Sequence, residues 1–212
     1  MILNPLTNGL SQPDRLAPIV EEISLAPLNK ESWVNGNQLP QNFPVFRDKK
    51  GEYHFADTIN AYGKIGLAVK TYDKREGAKN KYQPHRIEVF LNGQLYHSLE
   101  FEKLNYNWQS TANYINDYRN SRLNMGDFVK LYRNYNDPLI PVHSSNSDGT
   151  FELNKGYHDI KILIYDAQKN VRIVNGTLFF MNPYEIDVTN LGEANNLSLI
   201  HISEPTRPER IS

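Results

Sequence analysis

The tightest constraint on this chain lies between residues 86 and 102. Ile87, Val89 and Leu91 alternate with Glu88 and Phe90, and after Asn92-Gly93 the alternation resumes through Leu95, His97, Leu99 and Phe101. Successive side chains of a strand point to opposite faces, so a period of two predicts strands. Asn-Gly tolerates the positive φ that both central positions of a type I′ turn require, so the stretch is predicted to be a β-hairpin. Ile160, Ile162 and Ile164 repeat the pattern up to Tyr165-Asp166. A turn over Ala167 to Asn170 and a return strand from Val171 to Phe180 then make a second hairpin, at the carboxyl end of the domain. A third strand is read from about Tyr62 to Tyr72, where Ile65, Leu67, Val69 and Thr71 alternate with Gly66, Ala68, Lys70 and Tyr72, and both of its faces are expected to be covered.

Shorter strands are read at Val20 to Ala26, Phe43 to Arg47, Glu52 to Ala56, Phe128 to Tyr132 and Thr150 to Leu153, with turns at Lys49-Lys50-Gly51 and Asp148-Gly149. The helical candidate is Ser110 to Arg122, where Tyr114, Ile115 and Tyr118 follow a Ser-Thr N-cap signal; it is short enough to be a helical turn inside a crossover. Many short strands with one helical segment predict an all-β fold, an antiparallel two-sheet β-sandwich that is immunoglobulin-like in architecture. The label stops at architecture, because the chain has no cysteine for the inter-sheet disulfide of antibody domains.

Composition narrows the classes of function. With 39% hydrophobic and 22% charged residues the chain can bury enough apolar surface to fold. No apolar run approaches the roughly 18 residues of a bilayer span, and MILNPLTNGL lacks the basic flank and apolar core of a signal peptide. No membrane span is expected. A net charge of −1 without a basic block leaves no electrostatic footprint for nucleic acid. The absence of cysteine removes thiolate metal ligands and thiol nucleophiles. Asparagine, at 25 residues, is abundant beside 13 tyrosines.

Candidate chemistry is sparse. The six histidines, at 54, 85, 97, 143, 158 and 201, include no close pair of the kind that fixes two zinc ligands on one element. His54 and Asp57 form H-x-x-D, but on a strand these point to opposite faces. No G-x-S-x-G, P-loop or dinucleotide fingerprint occurs. Ser144, Ser145 and Ser147 near His143 read as a flexible polar loop, and Glu100 with Glu102 as one solvated acidic edge. Two strand ends echo each other, Leu67 to Tyr72-Asp73 and Ile160 to Tyr165-Asp166. An aspartate there is expected to accept hydrogen bonds from turn amides, with calcium ligation by the pair as the second reading. No catalytic residue, metal ligand or cofactor is assigned to this chain. Tyr106, Trp108, Tyr114, Tyr118 and Tyr132, interleaved with asparagines, are the candidate glycan or partner surface, because amphipathic aromatics and amides suit sugar faces and hydroxyls. The competing account is that the tyrosines line the sandwich and the asparagines fill its turns.

Asn4-Pro5-Leu6 to Gly9-Leu10, Ala17-Pro18-Ile19-Val20, Gly63 to Gly66, Thr71-Tyr72-Asp73, Ile87 to Gly93, and Gly156 to Ile164-Tyr165-Asp166 together carry a resemblance. Over residues 4 to 181 the chain resembles the non-catalytic β domain that follows the catalytic domain of lysostaphin-like zinc endopeptidases of Gram-negative envelopes. The resemblance implies an ancillary module of a murein metallopeptidase in the cell envelope or periplasm. Its partners would be an upstream peptidase domain and peptidoglycan. That family holds zinc with H-x-x-x-D and H-x-H motifs in the catalytic domain. Neither motif occurs here, so zinc is expected only in a missing catalytic domain and no family ligand is carried onto this chain.

The expected organisation is an exit segment from that upstream domain at 1–17, the sandwich at 18–182, a linker at 183–196 and a tail at 197–212. The tail, from Leu197 through Glu204-Pro205-Thr206-Arg207 to Ser212, resembles a translated sequencing-adapter string that recurs on unrelated proteins from assembled environmental DNA. It is therefore expected to be non-native.

Overall fold

The computed structural model describes residues 2–3, 14–77, 79–101, 103–104, 112–134, 136–137 and 147–181. Met1–Asn182 form one compact unit, to which everything below belongs. The expected linker and tail, and most of the expected exit segment, lie outside the described residues.

The strands are β1 (Ile2–Leu3), β2 (Ile19–Pro27), β3 (Trp33–Val34), β4 (Gln41–Arg47), β5 (Tyr53–Phe55), β6 (Ile59–Tyr62), β7 (Ile65–Tyr72), β8 (Arg86–Leu91), β9 (Gln94–Glu100), β10 (Lys103–Leu104), β11 (Val129–Lys130), β12 (Gly156–Tyr165) and β13 (Val171–Phe180). Two helical turns, α1 (Ala112–Ile115) and α2 (Tyr118–Arg122), fall in the predicted crossover. The protein is all-β, as expected. Its main sheet runs β11-β7-β2-β4-β5-β13-β12-β8-β9 and curls into a half-barrel, with β6 beside β13 and β3 beside β6. β1 pairs separately with β10.

Both predicted hairpins form. Asn92 and Gly93 take φ of 49° and 81°, the pair of positive values that a type I′ turn demands. One detail departs from simple alternation. A bulge shifts the β8–β9 register, pairing Val89 with His97 but Phe90 with Leu95. The extra residue in β9 turns Leu95 to the outer face, where it is 54% exposed, while His97 and Leu99 stay inside. Tyr96 stacks on Phe151 and donates its hydroxyl to the Thr150 carbonyl.

The expectation of an antiparallel arrangement needs correction at one strand. β5 and β6 follow each other along β13 and both run parallel to it, so the sheet is mixed. Gly176 stands between the two contacts. A Cβ at that position would collide with the Phe55 ring, so glycine lets the ring lie against the β13 backbone.

β4 turns the corner of the sheet. Gln41 to Pro44 pair with β2, and Val45 to Arg47 pair with β5. Pro44 marks the change of partner, consistent with its missing N–H, which ends a ladder. The Lys49-Lys50-Gly51 turn then joins β4 to β5 as predicted, with Asp48 accepting from the Lys50 and Glu52 amides at 2.9 Å each. The strand read as starting at Tyr62 is divided. Gly63, at φ 74°, turns the chain between β6 and β7. Thr150 to Leu153 forms a single bridge, Phe151 to Ile65, rather than a strand.

Ile23, Leu25, Leu67 and Val69 from one part of the sheet and Val89, Ile162, Val174 and Leu178 from the other belong to one buried apolar cluster. β7 is covered on both faces, as expected. Its second face meets the segment after the crossover, where Phe128 and Tyr132 are buried. A Cβ at Gly66 would lie 2.5 Å from the Tyr132 ring. Replacing Gly66 with Ala should therefore cost about 1–3 kcal/mol through overpacking, read as a lower urea midpoint. Adding Tyr132→Leu should restore part of the loss, and a Gly66→Ala protein as stable as wild type would show that the ring does not close over this strand.

Candidate functional site

The most concentrated chemistry lies where β7 and β12 end and β2 begins. Asp73 directly follows β7, Asp166 directly follows β12, and Asp14 lies on the segment leading into β2. One carboxylate oxygen from each lies within 4.8 Å of the others, and all three residues are buried. The two Tyr-Asp strand ends thus meet in space and are joined by an aspartate that sequence reading did not group with them.

Each aspartate is placed by identifiable contacts. Asp166 closes the β12–β13 turn, its Oδ1 accepting from the Gln168 and Asn170 amides at 2.9 and 2.7 Å. This is the turn role expected for a strand-end aspartate. Asn170 Nδ2 donates to Asp166 Oδ2 at 2.6 Å and to the Asp14 carbonyl at 2.9 Å, tying the lead-in segment to the turn. Arg172 continues the tie, donating to the Pro18 carbonyl at 2.9 Å, the Ala17 carbonyl at 3.4 Å and the Gly51 carbonyl at 3.1 Å. Asp73 is fixed by its backbone, which exchanges two hydrogen bonds with Tyr82.

Both Asp166 oxygens and Asp14 Oδ1, which accepts from the Leu16 amide at 3.0 Å, are satisfied, but one oxygen of each of the other two carboxylates is not. Asp14 Oδ2 and Asp73 Oδ1 are buried without a hydrogen-bond partner. Among the described residues, no cationic nitrogen comes within 4.0 Å of any of the three. Burial first, then the charges of Asp166 and Asp14, push the Asp73 pKa up to about 6, against the Lys74 amide and Arg75.

A second group, Asp48, Glu52 and His54, is half-buried. Its donors are already engaged: His54 Nε2 lies 3.2 Å from Asp48 Oδ2, and Glu52 accepts from Asn175 Nδ2 at 2.9 Å. His54 thus pairs with Asp48 and not with Asp57. It lines an open cleft of about 520 Å³ with Asp57, Asp159 and Lys161.

Of the proposed aromatic surface, Tyr106 and Trp108 lie outside the described residues, as do Glu102, His143, Ser144, Ser145 and His201. Tyr114 and Tyr118 are 37% and 65% exposed. Tyr118 accepts a hydrogen bond from Arg122 at 3.1 Å. Tyr132 does not join them. It is buried over Gly66, and burial, with Asp117 and Asp137 nearby, raises its phenol pKa well above the usual value. A ring in that position is closed to a sugar face.

The described histidines have structural settings on separate elements. His158 Nε2 donates to the Asn154 carbonyl at 2.8 Å while Nδ1 accepts from Asn92 at 3.1 Å. His85 Nε2 stands 3.9 Å from Glu100. His97 is 1% exposed, with the Gly149 backbone against its ring. Burial pushes its pKa down to about 4 from 6.5.

Comparison of the chain with protein-family models, with curated proteins and with solved structures gives no match in any of the three. Among the described residues, no helix is long and apolar enough to cross a membrane.

A histidine held neutral in the fold makes stability fall as pH drops from its unfolded pKa towards its folded one. His97 should therefore withdraw up to about 3 kcal/mol between pH 6.5 and 4. Asp73, with its raised pKa, acts in the opposite sense as the solution is acidified. The test is consequently the difference in unfolding free energy between wild type and His97→Gln across this range, from which Asp73 cancels. A difference that does not change with pH would mean that His97 is not buried in neutral form.

Proposed function

We propose that this chain is an ancillary, non-catalytic β module of a cell-envelope murein metallopeptidase, one that positions or regulates a zinc-bearing catalytic domain. The observation that carries the reading is the resemblance distributed over residues 4 to 181, together with where its residues fall in the fold. Gly66 accommodates Tyr132, Asn92-Gly93 forms the tight turn, and Tyr72-Asp73 and Tyr165-Asp166 end the two strands that meet at the aspartate cluster. The residues that carry the resemblance are thus ones that build a scaffold. In this reading the curled sheet is an opened immunoglobulin-like sandwich, with β11-β7-β2 and β13-β12-β8-β9 as its layers and β4 passing between them. The single apolar cluster drawing on both supports that description. Zinc, with its bound water as nucleophile, belongs to the catalytic partner.

Purified chain supplied with zinc should release no fragments from isolated peptidoglycan. The reading frame upstream of Met1 should encode H-x-H within about thirty codons, since this reading makes residues 1–17 an exit segment from a catalytic domain that carries that motif. Lysis by the chain alone, or an upstream frame without that motif, would overturn the proposal.

A second reading, a carbohydrate-binding module, is favoured by the exposure of both Tyr114 and Tyr118. It predicts that Trp108→Ala and Tyr118→Ala proteins stay folded but lose retention on insoluble peptidoglycan or polysaccharide. Unchanged retention would reject it.

A further inference from the structure

The aspartate cluster calls for a ligand of its own, and the inference is independent of any role in the envelope. Three carboxylates from segments far apart in sequence converge at buried positions, with 9%, 3% and 1% of the surface of Asp14, Asp73 and Asp166 exposed. Like charges this close disfavour one another, and burial removes the water that would screen them. Turn closure accounts for Asp166, which holds the turn amides, and for Asp14 Oδ1, which accepts from the Leu16 amide at 3.0 Å, but not for the remaining oxygens of the cluster. Asp73 Oδ1 and Asp14 Oδ2 instead sit buried without a hydrogen-bond partner, and the Arg75 guanidinium, whose charge acts on Asp73, forms no ion pair with either and keeps its own Nε and Nη2 buried without a partner.

We propose that Asp14, Asp73 and Asp166 form a calcium-binding site that clasps the lead-in segment to the ends of β7 and β12. The chemistry of the donors selects the ion. An all-oxygen set of carboxylates suits a hard cation, while zinc favours nitrogen and sulfur ligands. Calcium takes oxygens at about 2.3–2.6 Å in flexible arrangements, so ligands on opposite sides of one ion stand roughly 5 Å apart. The three oxygens, all within 4.8 Å of one another, fit that span. Magnesium demands a smaller octahedron and keeps several waters, for which this buried position is poorly suited. One divalent ion would offset most of the cluster's negative charge and join the end of β7 to the β12–β13 turn, to which Asn170 and Arg172 already tie the lead-in segment.

The test uses the full chain stripped of metal with a chelator. Calcium added to about 100 times its dissociation constant should raise the melting temperature by roughly 5 °C or more. Calorimetric titration should give one ion per chain. Asp73→Asn removes one ligand charge while relieving repulsion, so this variant should melt no lower than wild type in chelator. Its calcium affinity should fall at least about tenfold. Asp166→Asn, whose amide oxygen can still accept from the turn, should lose affinity in the same way. An unchanged melting temperature with millimolar calcium, a full calcium response in Asp73→Asn, or magnesium matching calcium at equal concentration would each overturn the assignment.

Discussion

The register of β12 is the constraint on which the remaining architecture depends. This strand pairs with β13 along its whole length and with β8 from Ile160 to Tyr165. Ile160, Ile162 and Ile164 point into the core with Val89, Ile87 and Val174 from its neighbours. A slip of one residue would turn all three isoleucines to the outer face and expose them, an outcome the period of two forbids. The fixed register also sets the position of Asp166, and through Arg172 on β13 it holds the segment bearing Asp14.

The second organising feature is the corner at β4. A sheet buried on one side has to close over its core, and here the closure comes from one strand changing partners at Pro44. The outer face of β7 is closed separately, by the segment carrying Phe128 and Tyr132. Lys70 bridges that side, its ammonium near Glu21, Glu22 and the Phe128 ring. The same packing removes Tyr132 from the aromatic surface, so what reads in sequence as one run of tyrosines divides into a core ring and an exposed pair.

The aspartate cluster was only half legible before the fold was known. Tyr72-Asp73 and Tyr165-Asp166 were visible as an echo, because each ends a strand of alternating apolar residues. Asp14 carried no signal, since it lies in a stretch without periodicity and owes its place to hydrogen bonds from Asn170 and Arg172, more than 150 residues away. Histidine spacing had excluded a conventional zinc pair. It could not exclude a site assembled from oxygen ligands on three separate elements.

What the sequence determined by itself is local: the two hairpins, the Asn92-Gly93 turn and the Lys49 to Gly51 turn. Each follows from side-chain alternation or from φ values that few residues tolerate, and neither depends on distant chain. Tertiary structure alone decided the parallel pairing of β5 and β6 with β13, the bulge that turns Leu95 outward and the meeting of three aspartates. Those outcomes turn on which edges and strand ends become neighbours, a choice made by global packing of the apolar cluster that no local pattern encodes.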